Sequence, residues 1–468
     1  MKVTLFIALN VWAISSICEC DATVWYEPEQ THIAVGESPD QMVIVWNTIN
    51  DTKESTVLYG TNGKLTLVVN GTRHKFVDGG SEQRTQFIHK VILTGLAPDT
   101  EYSYVVGSKA YGWSNLFTFH TWPDGENWSP SLAIFGDMGN ENPQSLPRMQ
   151  VEAMAGMYDA ILHVGDFAYD MDVDNARVGD EFMRQIEPLA SRLPYMTCPG
   201  NHEQAYNFSN YKARFWMPGD HNKQMYYSFK MGPVRFISVS TEWYFFPQYG
   251  LVPIVEHFKW LEKELADANL PENRAKQPWV ITFGHRPMYC SNDDNDDCTH
   301  HESLVRVGIP YIHLLGWEPL FYKYGVDVAY WAHEHSYERL WPVYNRQVMN
   351  GSVSEPYTNP KGPVHITTGS AGCKERHDKF DNIVDDWSAF RSNDYGYTQM
   401  KVYNKTHLSI QQVSDDQDGR IIDKIMIIKD AHGSYSGYPK PVVPKGDPLK
   451  KLWKQWKHYI DEAKKLLG

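Results

Sequence analysis

Short apolar runs separated by turn signals fill the first part of the chain, from about residue 21 to residue 122. The runs occupy residues 42–46, 55–59 and 101–106. Asn62 and Gly63 form a dipeptide that favours a tight turn between antiparallel strands. This pattern predicts an all-β sandwich of seven strands that carries no chemistry of its own.

A second pattern extends over residues 129–430, where strand-like runs alternate with helical patterns. A helical pattern at 254–268, for example, precedes a strand-like run at 279–283. Such alternation predicts a layered α/β domain. A linker at about 123–128 precedes this domain, and a Pro-containing segment at 431–468 follows it.

Candidate metal ligands lie in five short motifs between residues 137 and 335. Four of the motifs follow runs rich in Val, Ile, Leu, Phe or Ala, which read as buried strands. The seven candidates are Asp137, Asp166, Tyr169, Asn201, His285, His333 and His335. Because α/β folds place ligand-binding groups at the carboxyl ends of their strands, we predict that these side chains converge on a two-metal site.

The spacing of His333 and His335 adds a geometric condition. If this segment is extended, the two imidazoles project to the same side, since side chains alternate with a period of two. By contrast, His163, His313 and His365 are predicted to be hydrogen-bonded core residues rather than ligands.

The order and residue types of the five motifs resemble the metallophosphoesterase superfamily and, within it, the animal-type, two-domain purple acid phosphatases. Most relatives have Asp-x-His in the first motif, but Gly139 occupies the His position here. Tyr169 stands where the purple enzymes supply a phenolate, a hard anionic ligand that suits Fe(III). The resemblance covers residues 24–428 and implies a catalytic β-sandwich flanked by helices. The segment 96–102 likewise resembles part of fibronectin type III sandwiches, so the first domain is expected to be of that kind.

The resemblance also implies how the ligands are divided, with Asp166 bridging two ions. The ligands that it assigns to Fe(III) are Asp137, Tyr169 and His335, and those that it assigns to a divalent ion (Fe, Zn or Mn) are Asn201, His285 and His333. Carboxylate and phenolate favour the harder ion, whereas amide oxygen and imidazole suit a divalent one.

The activity that the resemblance implies is acid phosphatase: attack of a metal-bound hydroxide on a phosphate monoester. His202 corresponds to the residue that contacts phosphate. His300 and His301 resemble the paired histidines that serve the leaving group, and which of the two donates the proton stays open.

Residues 1–20 predict a signal peptide, because Lys2 is followed by an apolar stretch at 3–13 and then by small residues. No other run is long and apolar enough to span a bilayer, so we expect a secreted or lysosomal protein. Six glycosylation sequons agree with this route; they begin at Asn50, Asn70, Asn127, Asn207, Asn350 and Asn404. In an oxidising compartment Cys290 and Cys298 are expected to form a disulfide, while a bridge between Cys198 and Cys373 stays open.

The end of the chain carries an independent signal. Residues 448–468 predict a basic amphipathic helix with an apolar, Trp-containing face. Such a helix binds an anionic membrane surface, or it docks on the acidic catalytic domain of the same chain. The net charge of −13 argues against nucleic acid as a partner.

The sequence leaves two alternative functions open. One is a di-zinc phosphodiesterase or nucleotidase on the same scaffold. The other is a secreted membrane-binding factor that acts through its basic C-terminal helix.

Overall fold

In the computed structural model, the described residues are 23–219, 225–309 and 313–435. The predicted signal peptide at 1–20 and the predicted amphipathic helix at 448–468 lie outside them. No helix within these ranges combines the length and the apolarity that crossing a bilayer requires.

The described residues up to His120 form an antiparallel sandwich. Its strands are β1 (Glu29–Val35), β2 (Met42–Thr48), β3 (Thr56–Thr61), β4 (Leu67–Asn70), β5 (Thr72–Val77), β6 (Thr85–Leu93), β7 (Glu101–Ser108), β8 (Gly112–Trp113) and β9 (Phe117–His120). One sheet has the order β1-β2-β6-β5, and the other has the order β4-β3-β7-β8, with β9 also paired with β7. The all-β prediction is confirmed. The structure has two strands more than the seven expected, because β4 faces solvent and β8 has only two residues, so neither gives an apolar run.

Alternating apolar side chains of the two sheets meet between them. Ile33, Trp46 and Val57 are buried in this core together with Tyr104. The hydroxyl oxygen of Tyr102 accepts the backbone N–H of Ala97 at 2.9 Å. A tyrosine that bonds a backbone group a few residues upstream closes a corner of many such sandwiches, which explains why the 96–102 segment carried the resemblance.

The layered α/β part begins at Ser131. Its strands are β10 (Ser131–Phe135), β11 (Ala160–Val164), β12 (Tyr195–Cys198), β13 (Tyr227–Met231), β14 (Val234–Ser238), β15 (Trp279–Phe283), β16 (Gly308–Ile309), β17 (Leu314–Leu315), β18 (Val328–Trp331), β19 (Tyr337–Leu340), β20 (Val343–Tyr344), β21 (Gln347–Val348), β22 (Val364–Thr368), β23 (Ser388–Ser392), β24 (Gly396–Val402), β25 (His407–Ser414) and β26 (Arg420–Ile428). Its helices are α1 (Leu146–Met154), α2 (Val173–Ala190), α3 (Ala205–Arg214), α4 (Val252–Ala268), α5 (Pro271–Lys276), α6 (Leu304–Val307) and α7 (Glu318–Lys323).

Two mixed sheets form the centre of this part. The first has the order β12-β11-β10-β24-β25-β26, and its members β10, β11 and β12 run parallel. The second has the order β13-β14-β15-β18-β22-β19-β23, in which β14, β15, β18 and β22 run parallel. Both sheets and the helices contribute to one apolar cluster. The layered α/β fold, with a β-sandwich flanked by helices, is therefore confirmed.

Buried polar contacts join the N-terminal sandwich to the α/β part. Arg214 is 1% exposed and donates to Asp180 at 2.8 Å and to Gln30 of β1 at 3.1 Å. His32 of β1 lies between two backbone carbonyls: its Nδ1 is 2.8 Å from Gln30 O, and its Nε2 is 2.9 Å from Arg214 O. Burial lowers the pKa of His32 to about 4 despite these contacts, so the ring is neutral at neutral pH.

The three histidines predicted to be hydrogen-bonded core residues differ in their burial. His163 and His365 are buried and hydrogen-bonded, as predicted, to Tyr195 and Trp331. The prediction for His313 is wrong: its side chain is 58% exposed and pairs with Glu302. His313 follows an apolar run in sequence and directly precedes β17, which pairs with β16, but its own side chain faces solvent.

The covalent predictions concern Cys residues and sequons. Cys290 and Cys298 form the expected disulfide, with their Cα atoms 5.2 Å apart. Cys198 and Cys373 are buried free thiols, so no second bridge joins them. Among the sequon residues, two are half-buried and four are exposed: Asn50 and Asn350 in the first group, and Asn70, Asn127, Asn207 and Asn404 in the second. Their glycosylation stays a prediction.

A buried ionic cluster ties the two central sheets together at one edge. Asp327, which precedes β18, accepts the backbone N–H of Val280 at 2.8 Å and is paired with Lys429, just after β26. Arg274 lies 3.3 Å from the same carboxylate. Although burial opposes its ionisation, the charge of Lys429 holds the pKa of Asp327 below its usual range. Because this pKa is depressed, the stabilisation is present above the unfolded pKa and is lost only as the pH falls through the folded one.

Replacing Lys429 by Met should therefore destabilise the fold, because a buried carboxylate loses its main partner. Removing one member of a buried pair costs roughly 3 kcal/mol. Thermal unfolding at neutral pH measures the effect, and Lys424→Met, at an exposed position of β26, is the matched control. An unchanged melting temperature for Lys429→Met would contradict the role given to this cluster.

Candidate metal centre

Five strands end beside one another at the candidate site. Asp137, Asp166 and Asn201 follow β10, β11 and β12 of the first sheet, whereas His285 and His333 follow β15 and β18 of the second. The parallel strands of both sheets therefore direct their carboxyl ends to the same region. The candidate ligands lie at strand ends, as predicted, but these strand ends belong to two neighbouring sheets rather than to one.

His285 shows most clearly what the site requires. Its Nδ1 lies 2.9 Å from the carbonyl oxygen of Val164, which can only accept, so Nδ1 carries the hydrogen. Its Nε2 lies 3.1 Å from Asp166 Oδ2 and 3.1 Å from Asn201 Oδ1. A nitrogen and two oxygens thus direct electron pairs at one another. Although burial opposes a charge here, the carboxylate of Asp166 favours a positive charge at this point and raises the pKa of His285 to about 10.

A second group of ligand atoms lies on the other side of the site. The hydroxyl oxygen of Tyr169 is 3.1 Å from Asp137 Oδ1 and 2.8 Å from His335 Nε2. His335 Nδ1 is 2.9 Å from the carbonyl oxygen of Arg376, so Nε2 is free to act as a ligand. Burial, and then the charge of Asp137, raise the pKa of Tyr169 well above its usual value. A phenolate at this position therefore requires a strong cation.

The two groups form one site through short links. Asp166 accepts the backbone N–H of His202 at 3.0 Å, and the His202 ring centroid is 4.4 Å from that of Tyr169. Asp137 Oδ2 accepts the backbone N–H of His333 at 2.9 Å, and the His333 ring is 5.0 Å from that of His285. The structure therefore brings all seven candidate ligands together.

The segment that carries His333 and His335 is a bend and not a strand, so the condition of an extended segment is not met. His333 has a φ of 72°, and short backbone contacts fold the chain between β18 and β19. As a result His335 points to Tyr169, whereas Nε2 of His333 contacts Asp296 and, at 2.7 Å, Arg286. The bend places His335 beside Tyr169 and Asp137, and it places His333 with Asp166 and His285, whose ligand atoms lie within 4.8 Å of one another.

Glycine at two positions leaves room for the ligand atoms. A Cβ on Gly200 would lie 2.1 Å from Asp166 Oδ1, and one on Gly165 would lie 2.4 Å from His285 Nδ1. Gly165 also has a φ of +85°, which side chains rarely adopt. The cleared space and the donor set of carboxylate, phenolate, amide and imidazole fit a pair of metal ions.

His202 is the ligand-adjacent histidine that reaches solvent. Its side chain is 20% exposed, and its Nδ1 is 2.7 Å from Asp170 Oδ1. Although burial opposes its charge, Asp166 and Asp170 raise the pKa of His202 to about 9. A charged imidazole at the rim of the site suits contact with an anionic substrate.

His300 and His301 lie in the segment after β15, at the surface of the molecule. Both are exposed, and within the described part of the chain no hydrogen bond, ion pair or ring contact joins either imidazole to a candidate ligand. The geometry does not support their assignment to the leaving group, which stays a prediction. The side chains that contact His333 instead are Asp296 and Arg286, also from the segment after β15.

Sequence reasoning missed the residue that holds the ligand loops together. Glu203 is buried and accepts the backbone N–H groups of Asp166 and Phe167 at 3.0 Å and of Gly200 at 2.8 Å. It thereby fixes the turn after β11 against the turn after β12. The sequence feature that could have identified Glu203 is its position directly after Asn201 and His202.

Comparisons with known proteins agree with this site. Residues 28–121 match the family described as "Purple acid Phosphatase, N-terminal domain", residues 130–337 match "Calcineurin-like phosphoesterase", and residues 362–424 match "Iron/zinc purple acid phosphatase-like protein C". The chain is 56% identical over 408 residues to "Acid phosphatase type 7" of Homo sapiens, covering 87% of this chain and 92% of the relative. It is 53% identical over 430 residues to the protein of the same name in Danio rerio, covering 89% and 95%. A solved purple acid phosphatase from yellow lupin (Lupinus luteus) seeds is similar with a TM-score of 0.72 at 26% identity, over 86% of this chain and 75% of that one.

Proposed function

The chain belongs to the purple acid phosphatase family and is an acid phosphatase, and we propose that it hydrolyses phosphate monoesters at a centre that pairs Fe(III) with a divalent ion. The family implies a dinuclear metal centre. The observation that carries the proposal is the pair of ligand groups around His285 and Tyr169, each of which needs a cation.

The donor chemistry supports an iron site on the Tyr169 side. Asp137, Tyr169 and His335 would hold Fe(III), because carboxylate and phenolate oxygens are hard anionic ligands. Asn201, His285 and His333 would hold the divalent ion (Fe, Zn or Mn), for which amide oxygen and imidazole are ordinary ligands. Asp166 lies between the groups and would bridge the ions.

When bound, the two ions supply the nucleophile by acidifying water, and they neutralise charge on the phosphate. The protein contributes the positions of the other groups. Asp170 holds the imidazole of His202 where the site opens to solvent. Arg286 lies beside His333 and brings a positive charge to the same region. These two side chains would orient the phosphate and offset its developing charge.

Asp166→Asn should abolish hydrolysis, because the bridging charge is lost while the side chain keeps its size. We expect kcat/KM for an aryl phosphate monoester to fall by about a thousandfold. Asp418→Asn, at an exposed turn, is the control and should retain full activity. Undiminished turnover by Asp166→Asn would refute the assignment of this site.

The identity of the metal is tested by absorption. A phenolate bound to Fe(III) gives a visible charge-transfer band, which Tyr169→Phe should remove while Tyr403→Phe, at an exposed position, should keep it. Metal analysis of the same samples should show iron in the wild-type protein. A colourless, iron-free wild-type protein that hydrolyses phosphodiesters or nucleotides would favour the di-zinc alternative instead.

We further propose that the protein enters the secretory pathway and is secreted or lysosomal. Support comes from the leader-like residues 1–20, the disulfide between Cys290 and Cys298, and the exposed sequons. The proposed role of residues 448–468 at an anionic membrane surface lies outside the described residues.

Expression of the full chain in animal cells tests this route. We expect glycosidase-sensitive protein in the medium or in lysosomes, with a lower apparent mass after glycan removal. Deleting residues 2–20 is the control and should leave unglycosylated protein in the cytosol. Unmodified cytosolic protein from the full chain would contradict the proposal.

A further inference from the structure

The loop closed by the disulfide between Cys290 and Cys298 contains four aspartates, and they differ in their surroundings. Asp296 contacts Arg286 and His333, and Asp297 accepts the backbone N–H of Leu304 at 2.9 and 3.0 Å. Asp294 instead faces two other carboxylates, those of Glu334 and Asp378. These three acidic side chains come from separate parts of the sequence, so the fold itself brings them together.

The distances among the three carboxylates fit one bound ion. One oxygen from each of Asp294, Glu334 and Asp378 lies within 4.8 Å of the other two. Because Ca²⁺ binds oxygen at about 2.3–2.6 Å, two oxygens on one ion are at most about 5 Å apart. A single hard cation between the three side chains can therefore contact all of them.

Glu334 provides an independent observation. It is 1% exposed, and its Oε2 is buried without a hydrogen-bond partner among the described residues. Its Oε1 lies 3.0 Å from Sγ of Cys298, a disulfide sulfur that has no hydrogen to donate. A buried carboxyl without a partner is costly, and one oxygen of Glu334 lies within 4.8 Å of a carboxylate oxygen of Asp294 and of Asp378.

No positively charged side chain of Lys or Arg in the described ranges pairs with the three carboxylates of Asp294, Glu334 and Asp378. Arg286 pairs with Asp296 and Glu242. The nearest partial compensation is His335, whose backbone N–H donates to Asp378 Oδ2 at 2.6 Å and whose Nδ1 lies 3.8 Å away. A bound cation would supply the missing charge.

The backbone holds the three carboxylates in place. Asp293 N donates to Lys379 O at 2.8 Å, and Asp381 N donates to Ser291 O at 2.8 Å. This pairing fixes the disulfide-closed loop against the 378–381 segment. Asn292 also has a buried Oδ1 without a partner among the described residues, and its Nδ2 donates to Ser336 Oγ at 3.1 Å.

We propose that Asp294, Glu334 and Asp378 bind a third cation, a hard divalent ion of the Ca²⁺ class, beside the dinuclear centre. Three carboxylates in a loop-built site suit Ca²⁺, which tolerates irregular oxygen coordination. Glu334 stands between His333 and His335, and Asp378 accepts the N–H of His335. The ion would therefore hold in place the bend that carries two of the candidate ligands of the catalytic pair.

The test uses the intact metal-loaded enzyme and CaCl₂ as the probe. After treatment with a Ca²⁺-selective chelator, we expect calorimetry to show one Ca²⁺ bound per chain, while the iron content and the visible band are unchanged. Asp294→Asn should weaken Ca²⁺ binding about tenfold or more, because affinity depends on the number of charged ligands. Asp293→Asn, at a neighbouring position that is exposed like Asp294, is the matched control and should bind as the wild type does.

A second measurement separates binding from misfolding. Ca²⁺ should raise the melting temperature of the wild-type enzyme and of Asp293→Asn, and have a smaller effect on Asp294→Asn, since a ligand stabilises the state that it binds. Three results would overturn the proposal: no Ca²⁺ uptake, equal uptake by Asp294→Asn and the wild type, or Ca²⁺ uptake matched by loss of the catalytic divalent ion. Absence of iron would count against the dinuclear assignment alone, because Ca²⁺ binding is measured separately.

Discussion

The whole site depends on one electrostatic constraint: oxygen and nitrogen ligand atoms converge at two points, one around His285 and one around Tyr169. His285 lies 3.1 Å from both Asp166 and Asn201, and Asp137, Tyr169 and His335 lie within 3.6 Å of one another. Such groups repel one another unless cations lie between them. The surrounding fold has to hold them in place before the ions arrive, and buried strand ends, the Glu203 hydrogen bonds and the cleared space at Gly200 serve that purpose.

The two-sheet arrangement explains how distant segments reach one point. Three ligand-bearing strands belong to one sheet and two to the other, so the site forms only when the sheets pack on their shared apolar core. Asp327 and Lys429 tie the sheets at one edge, and the disulfide-closed loop adds contacts beyond β18. Because the chain bends at His333, the imidazoles of His333 and His335 belong to different ligand groups although they are only two residues apart.

Much of this organisation could be predicted from local patterns, because strands β10, β11, β15 and β18 are apolar runs and their ligands follow directly in sequence. The geometry of the loops could not be predicted. His333 and His335 lie in a bend fixed by Asp137 and Asp378, which are far away in the chain, and His300 and His301 are exposed while Asp296 and Arg286 contact His333. The glycine at position 139 and the tyrosine at 169 carried chemical information that was independent of geometry. The contacts of Glu203 depend on backbone groups, which no side-chain pattern reveals.

His32 has a consequence for the acid tolerance of the molecule. Its ring lies in the joint between the N-terminal sandwich and the α/β part, and its pKa is about 4 in the folded chain. As the pH falls from about 6.5, the unfolded chain takes up a proton that the folded chain does not, so the free energy of unfolding decreases by roughly 3 kcal/mol as the pH approaches the folded pKa. Acidification therefore lowers the stability of the folded chain through one buried ring, at the contact between the N-terminal sandwich and the α/β part.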